Sequence, residues 1–416
     1  GYEQQGRDYP IGFVRWTEGR NFEAVLELMR SGGLDVRPLI GKSVPFDAAP
    51  SIYENLSGDR SGLGILLEYP GPAEPPPQAA GVSSPMASPP AAGAGAAAVG
   101  YLGAGGFSQQ VLLPALKATS ARLVAVASGK GVTAAYAARK FGFASASADT
   151  DSVLSDPAVN TVFIATRHNL HARMAAAALR AGKHVFVEKP LALNEEDLLE
   201  VIRAYEEAGA RNPLLLTVGF NRRFAPQVRK MTELLAGAAE PKAMVLTVNA
   251  GRIPADHWTQ DREEGGGRVL GEGCHFVDLL RHLAGSPIVD VSAASVGGTP
   301  SDGIREDKSV WTLSFADGSL GTVHYLANGH KSFPKERLEV FCGGRILVLD
   351  NFRRLAGYGW KGFRGLDLWR QDKGHAAEVA AFVAAVEKGG APPIPFGELV
   401  EVTRATFRIA ERLRRT

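Results

Sequence analysis

Apolar positions change rhythm along the chain. From about Ala96, short continuous apolar runs alternate with stretches of helical spacing. The runs are Ala97–Leu102, Leu123–Ala127, Thr161–Ala165, His184–Val187 and Leu214–Gly219. Between them, helical spacing covers Phe107–Ala118, Val132–Phe141, His171–Ala181 and a segment opening at Asn194, where Asp197 gives a near capping box. Apolar runs without polar alternation read as strands buried on both faces. Their alternation with helices predicts a Rossmann-type doubly wound parallel sheet of the α/β class. Further on, Ala243–Val248, Ile288–Val296, Ser309–Phe315, Gly321–Leu326 and Leu338–Phe341 read as strands with few helices between them. They predict an α+β domain with a large, mainly antiparallel sheet, closed by helices over His375–Lys388 and Phe396–Arg415. Arg404, Arg408, Arg412 and Arg415 on the last helix read as a solvated face.

Ahead of these modules lies a smaller α/β fragment. Helical spacing over Asn21–Ser31 aligns Phe22, Val25, Leu26, Leu28 and Met29, with Asn21 as the expected cap. Leu34–Ile40 reads as a strand, Phe46–Leu56 as a second helix and Gly62–Tyr69 as an apolar strand. Eight prolines between Pro70 and Pro90, followed by Ala91–Gly95, forbid helix and central strand and read as an extended linker. The expected organisation is therefore a fragment at 1–69, a linker at 70–95, a dinucleotide-binding domain at 96–220 and a substrate and oligomerisation domain at 221–416.

Composition narrows the class. With 416 residues, 45% of them hydrophobic, the chain can build more than one core. Lys plus Arg at 46 against Asp plus Glu at 44 leaves +2, giving no electrostatic case for nucleic acid or an anionic membrane. Cys274 and Cys342 lack metal-ligand spacing, so neither a disulfide framework nor a metal site is expected. No apolar run approaches the ~20 residues of a membrane span, and the first residues lack a secretory pattern. The chain reads as cytoplasmic; without a starting Met, it reads also as a processed or truncated product.

Candidate chemistry begins at Gly103-Ala104-Gly105-Gly106-Phe107-Ser108, between the first strand and its helix. Gly103 permits a tight turn, Gly105 lets backbone approach a pyrophosphate, and Ser108 replaces the third glycine of the fingerprint. After the second strand, where an acidic residue would bond the ribose hydroxyls of NAD, stand Ser128, Gly129 and Lys130. This leans the cofactor preference toward NADP. Thr166, Arg167, His168 and His171 follow the next strand, and Glu188-Lys189-Pro190 the one after; open α/β sheets bind ligands at such strand ends.

Glu188-Lys189-Pro190, Val218–Pro226 and Pro392–Glu398 together resemble the glucose–fructose oxidoreductase and inositol 2-dehydrogenase (Gfo/Idh/MocA) family over nearly all of the chain after the linker. The fragment before it, through Arg20–Ala24 and Gly62–Glu68, resembles the C-terminal tail of medium-chain zinc-type alcohol dehydrogenases. The first resemblance implies hydride transfer between NAD(P) and a ring carbon of a sugar, cyclitol or nucleotide-linked sugar, in a homo-oligomer built through the second sheet. It implies Lys189 beside the nicotinamide and His275 as the catalytic histidine. The family often has an aspartate four residues before that histidine, where this chain has Gly271; Glu272 is the candidate orienter. Asn221, Arg222, Arg223, His257 and Trp258 are candidate substrate contacts. Chemically, a neutral imidazole suits the role of base toward a hydroxyl, and an ammonium that of stabilising an alkoxide. Two other readings stay open: a non-catalytic dinucleotide-binding sensor or scaffold, and a tightly held cofactor recycled within a net non-redox reaction.

Overall fold

The computed structural model describes residues 17–48, 63–69, 95–129, 131–210, 213–238, 240–297 and 306–415. The chain divides into two compact units, residues 1–80 and 81–416.

In the first unit, α1 (Glu18–Arg30) starts one turn earlier than predicted, because the Thr17 hydroxyl accepts from the Arg20 amide. Phe22, Val25, Leu26, Leu28 and Met29 on this helix are exposed. The strand expected at Leu34–Ile40 is displaced. The Asp35 carboxylate accepts from the Arg37 amide, and Pro38 fixes its own φ, so Arg37–Leu39 forms a 3-10 turn. Only then does β1 (Ile40–Pro45) begin, paired in parallel with β2 (Gly64–Glu68). Of the second predicted helix, Phe46–Ala48 forms a 3-10 turn. The remainder, and the linker segment before Gly95, lie outside the described residues.

The second unit holds both large sheets. Six strands, β3 (Ala98–Leu102), β4 (Arg122–Ala127), β5 (Ser145–Ser147), β6 (Thr161–Ile164), β7 (His184–Val187) and β8 (Leu216–Val218), are all parallel in the order β5-β4-β3-β6-β7-β8. Every residue of β3 and β6 is buried, as expected for strands with helices on both faces. The helices are α2 (Leu113–Lys117), entered through a π-helical turn at Ser108–Leu112, α3 (Gly131–Phe141), α4 (Asp151–Ser155), α5 (His171–Arg180) and α6 (Glu195–Gly209). Asn194 caps α6, its side-chain Oδ1 accepting from the Asp197 amide at 2.8 Å. The strand order reverses between β3 and β6, so the carboxyl ends of these strands frame a crevice.

After α7 (Pro226–Leu235) comes the second sheet. It contains β9 (Ala243–Asn249), β10 (Ile288–Ser295), β11 (Lys308–Phe315), β12 (Leu320–Leu326), β13 (Glu336–Cys342), β14 (Arg345–Asp350), β15 (Arg354–Tyr358) and β16 (Gly365–Asp367). Their order is β10-β11-β12-β9-β13-β14-β15-β16, antiparallel except for β9 against β12. Strict alternation along β11 and β12 turns Trp311, Leu313, Val323 and Tyr325 inward. They share a core with Phe276, Leu279, Leu280 and Leu283 of α8 (Cys274–Ala284). Fully burying such side chains contributes about 1.5–3 kcal/mol each. The sequence pattern missed the three-residue β5 and the short strands β14 to β16, where glycine turns precede β14 and β16 and Asn351 and Phe352, both at positive φ, make the turn between β14 and β15. Helices α9 (His375–Lys388) and α10 (Phe396–Arg415) match expectation. Arg404 pairs with Glu195 and Arg412 with Asp290 at the surface.

Candidate active site

At the carboxyl end of β3 the chain turns at Gly103 with φ +98°, and a Cβ there would meet the Ala165 carbonyl oxygen at 2.5 Å. Only glycine fits this position. The buried Ser108 hydroxyl donates to the Gly103 carbonyl at 2.7 Å, so the residue replacing the third glycine also closes the turn. Nothing lies within 4 Å of where a Cβ would stand at Gly105 or Gly106. That open backbone at the strand end is a cradle a pyrophosphate would fit. Past β4, the Ser128 hydroxyl accepts from Thr133 Oγ1 at 2.8 Å, and no carboxylate stands at Ser128 or Gly129. Lys130 lies outside the described residues.

A cleft of about 500 Å³ opens between the parallel sheet and the second sheet, and both Lys189 and His275 line it. Lys189 follows β7 and precedes a cis peptide to Pro190. Its Nζ donates to the Gly271 carbonyl at 2.9 Å. Gly271 belongs to a π-helical turn, Val269–Gly273, that runs directly into α8, and His275 lies four residues on. The ammonium is thus tied about one helical turn, ~5.4 Å of rise, before the imidazole. His275 is buried, and its Nδ1 has no hydrogen-bond partner among the described residues. Burial, with Arg222 and Lys189 nearby, holds its pKa well below the usual imidazole range. The ring is neutral at neutral pH and able to accept a proton.

The residues around this pair divide into those facing the cleft and those only supporting it. Glu188 faces it, and burial raises its carboxyl to about 7 against the pull of Lys189. Thr166, His168 and His171 also line it. His171 is a structural tie: Nδ1 lies 2.8 Å from the Pro190 carbonyl and Nε2 3.2 Å from that of Thr166, while burial lowers its pKa to about 4. A neutral ring has one N–H to give, so it holds one of these carbonyls at a time. His168 Nδ1 lies 2.8 Å from the Gly265 carbonyl, and its ring meets Trp258 edge-on at 4.8 Å. Trp258 reaches the cleft, but His257 beside it is exposed, bonded to Thr259, and does not. Arg167 also lies off the cleft, its guanidinium 4.6 Å from the Trp258 ring and paired with Glu264. Asn221 and Arg222 line the cleft. Arg223 instead turns into the protein, bonded to Asp278 and Glu398.

Glu272 does not orient His275. Its Oε2 accepts from Tyr325 at 2.6 Å and Arg268 at 2.8 Å, and its Oε1 from Lys335 at 2.6 Å. Burial alone would raise its pKa, but Lys335 and Arg268 outweigh burial and hold it well below the usual carboxylate range. One helical step from Gly271 swings this side chain toward the second sheet. Cys274 is buried and burial pushes its thiol up to about 12, leaving an inert core residue. The sequence pattern missed Arg268, Lys335, Lys373 and His375, all on the cleft wall. Lys373 and His375 flank Gly374 at the start of α9, a signal available in the sequence.

The pattern of an oxidoreductase family with an NAD-binding Rossmann fold matches residues 97–216, and that of the GFO/IDH/MocA C-terminal domain matches residues 237–345. Myo-inositol 2-dehydrogenase of Thermotoga maritima is 30% identical over 62% of this chain and 78% of its own length. D-xylose 1-dehydrogenase (NADP(+)) 2 of Haloferax volcanii is 26% identical over 75% of this chain and 96% of its own. Among solved structures, levoglucosan dehydrogenase in complex with NADH and levoglucosan superposes with a TM-score of 0.66. It is 24% identical and covers 76% of this chain and 97% of its own.

Proposed function

The chain belongs to the Gfo/Idh/MocA family of oxidoreductases, and from that premise we propose that it transfers hydride between NAD(P) and a ring carbon of a sugar or cyclitol in the cleft beside Lys189. One observation carries the reading: an ammonium from the parallel sheet and a neutral imidazole from α8 line the same cavity. When bound, the nicotinamide takes up or delivers the hydride. His275 accepts the hydroxyl proton on oxidation and returns it on reduction. Lys189, fixed by the Gly271 carbonyl, stabilises negative charge developing on the reacting oxygen. Trp258 offers an aromatic wall to a sugar face, and the Gly103–Ser108 turn holds the pyrophosphate.

The missing carboxylate after β4 supports a preference for NADP. Exposed apolar residues on the outer face of the second sheet, Leu320, Phe341 and Tyr358, support homo-oligomerisation through that face. The experiment is a screen of NAD and NADP against sugars and cyclitols, following nicotinamide absorbance, with solution mass measured alongside. Turnover with any ring alcohol supports the assignment. Dinucleotide binding with no turnover across the panel would favour a sensor instead.

A further inference from the structure

The cleft holds more cations than its carboxylates offset. Arg222 sends Nε and Nη2 to the two oxygens of Glu336, at 2.7 and 2.9 Å, and Lys373 adds its Nζ to Oε1 at 2.6 Å. Arg268 and Lys335 likewise share Glu272. Each cluster therefore places two positive charges on one negative charge. Lys189 adds a further cation held by a carbonyl, and Glu188, even when ionised, balances only one.

A cleft lined by an excess of one sign of charge concentrates ligands of the other. The arginines are not free to meet such a ligand. Arg222 is engaged by Glu336 and lies over the Phe276 ring at 5.0 Å. Arg268 is occupied by the Gly251 and Ala250 carbonyls as well as Glu272. The lysines remain accessible, with side chains 41% exposed at Lys335 and 17% at Lys373. An ammonium has three N–H donors, and each of these gives one to its carboxylate.

We propose that the substrate is an anionic sugar or cyclitol, carrying a carboxylate or phosphate that Lys335 and Lys373 bind at the second-sheet wall of the cleft. This rests on the oxidoreductase reading above. The place of Lys335 in the fold assigns the surplus there to the substrate rather than to the cofactor. The pyrophosphate cradle lies after β3, whereas Lys335 directly precedes β13 of the other sheet. Lys373 stands closer to the cradle, since the His375 ring meets Phe107 at 5.9 Å, so the test treats the two lysines separately. A bound anion also offsets the cations that depress the proton affinity of His275.

The test uses the full chain with NADPH and matched probes: D-glucuronate against D-glucose, D-galacturonate against D-galactose, and D-glucose 6-phosphate against D-glucose. Fluorescence of bound NADPH reads dinucleotide binding, and its change on sugar addition reads the second ligand. At least one acid is expected to bind the NADPH complex about tenfold or more tightly than its neutral partner, with affinity falling as salt rises. The uronate and phosphate arms tell which anion is preferred. Lys335→Met is expected to remove most of that preference while leaving NADPH affinity unchanged; Glu272 keeps Arg268 and Tyr325 in this variant. Neutral sugars binding as well as their acids, or no acid binding to the NADPH complex, overturns the proposal. So does a loss confined to NADPH affinity in both Lys335→Met and Lys373→Met. Wild-type protein that binds no dinucleotide overturns the oxidoreductase reading itself, and the anion site with it.

Discussion

At Gly271 the chain departs from the aspartate that the resemblance led one to expect, and the structure gives a physical reason. A Cβ at that position would meet His168 Cε1 at 2.9 Å and Nδ1 at 3.3 Å. The imidazole of His168 fills the space a larger residue would need, and the Gly271 carbonyl holds Lys189. Gly271→Ala is therefore expected to displace His168 and disturb the Lys189 tie. It should lower kcat/KM about tenfold or more, by analogy with other misplaced positioning groups, with dinucleotide affinity retained. Unchanged kinetics in that variant would mean the tie is incidental. The sequence exposed the departure, but no pattern in it pairs residue 168 with residue 271. For the same reason Glu272 stood in the sequence only as a candidate orienter, and the structure turns it instead to Tyr325 and Lys335.

At the scale of elements, β3, β4, β6 and β7 were legible because each is a largely apolar run, whereas β5, the three residues Ser145–Ser147, and the short α4 carry no such signal and were missed. The second sheet was legible where alternation is strict, as in β11 and β12, and illegible in β14 to β16, short strands joined by tight turns at Asn351-Phe352 and at Gly359 and Gly362. The Asp35 side chain, bonding the Arg37 amide, overrode the apolar pattern around Leu34. The end of β4 carries its own prediction. Ser128→Asp places a carboxylate where a 2′-phosphate would sit, so affinity for NADP should fall at least tenfold while NAD is retained or improved. Fluorescence titration with both reduced dinucleotides checks it; an unchanged NADP affinity would place the ribose elsewhere.

For the whole molecule, buried histidines set the response to acid. Burial lowers His168 and His282 to about 3 and His171 and His375 to about 4, with Lys189 or neighbouring arginines adding to it at His168, His282 and His375. Their folded pKa values lie below the unfolded value of about 6.5. Unfolding therefore takes up protons, and the stability they contribute is full above about pH 6.5 and is lost as pH falls toward 4, by at most about 1.4 kcal/mol per pH unit for each proton. Glu188, raised by burial to about 7, and Glu378, raised well above its usual range, act in the opposite sense and offset part of this. Net acid sensitivity is expected: Tm measured from pH 7 to 4.5 should fall continuously, and a flat profile would show that these imidazoles titrate normally. All the candidate site residues belong to the unit spanning residues 81–416, so a chain lacking residues 1–80 is expected to keep NADPH affinity within about threefold. No helix among the described residues is long and apolar enough to cross a membrane.

The convergence of Lys189 and His275 on one reacting group is tested most directly by a double-mutant cycle on the best substrate of the sugar panel. NADPH titration would verify that Lys189→Met, His275→Ala and the double variant still bind cofactor. Groups that act as one unit give losses that do not add. Each single variant should lose about 10²–10⁴-fold in kcat/KM, and the double variant should be little worse than the poorer single. Near wild-type turnover in either single variant, or losses that multiply fully in the double, would contradict a shared reaction centre.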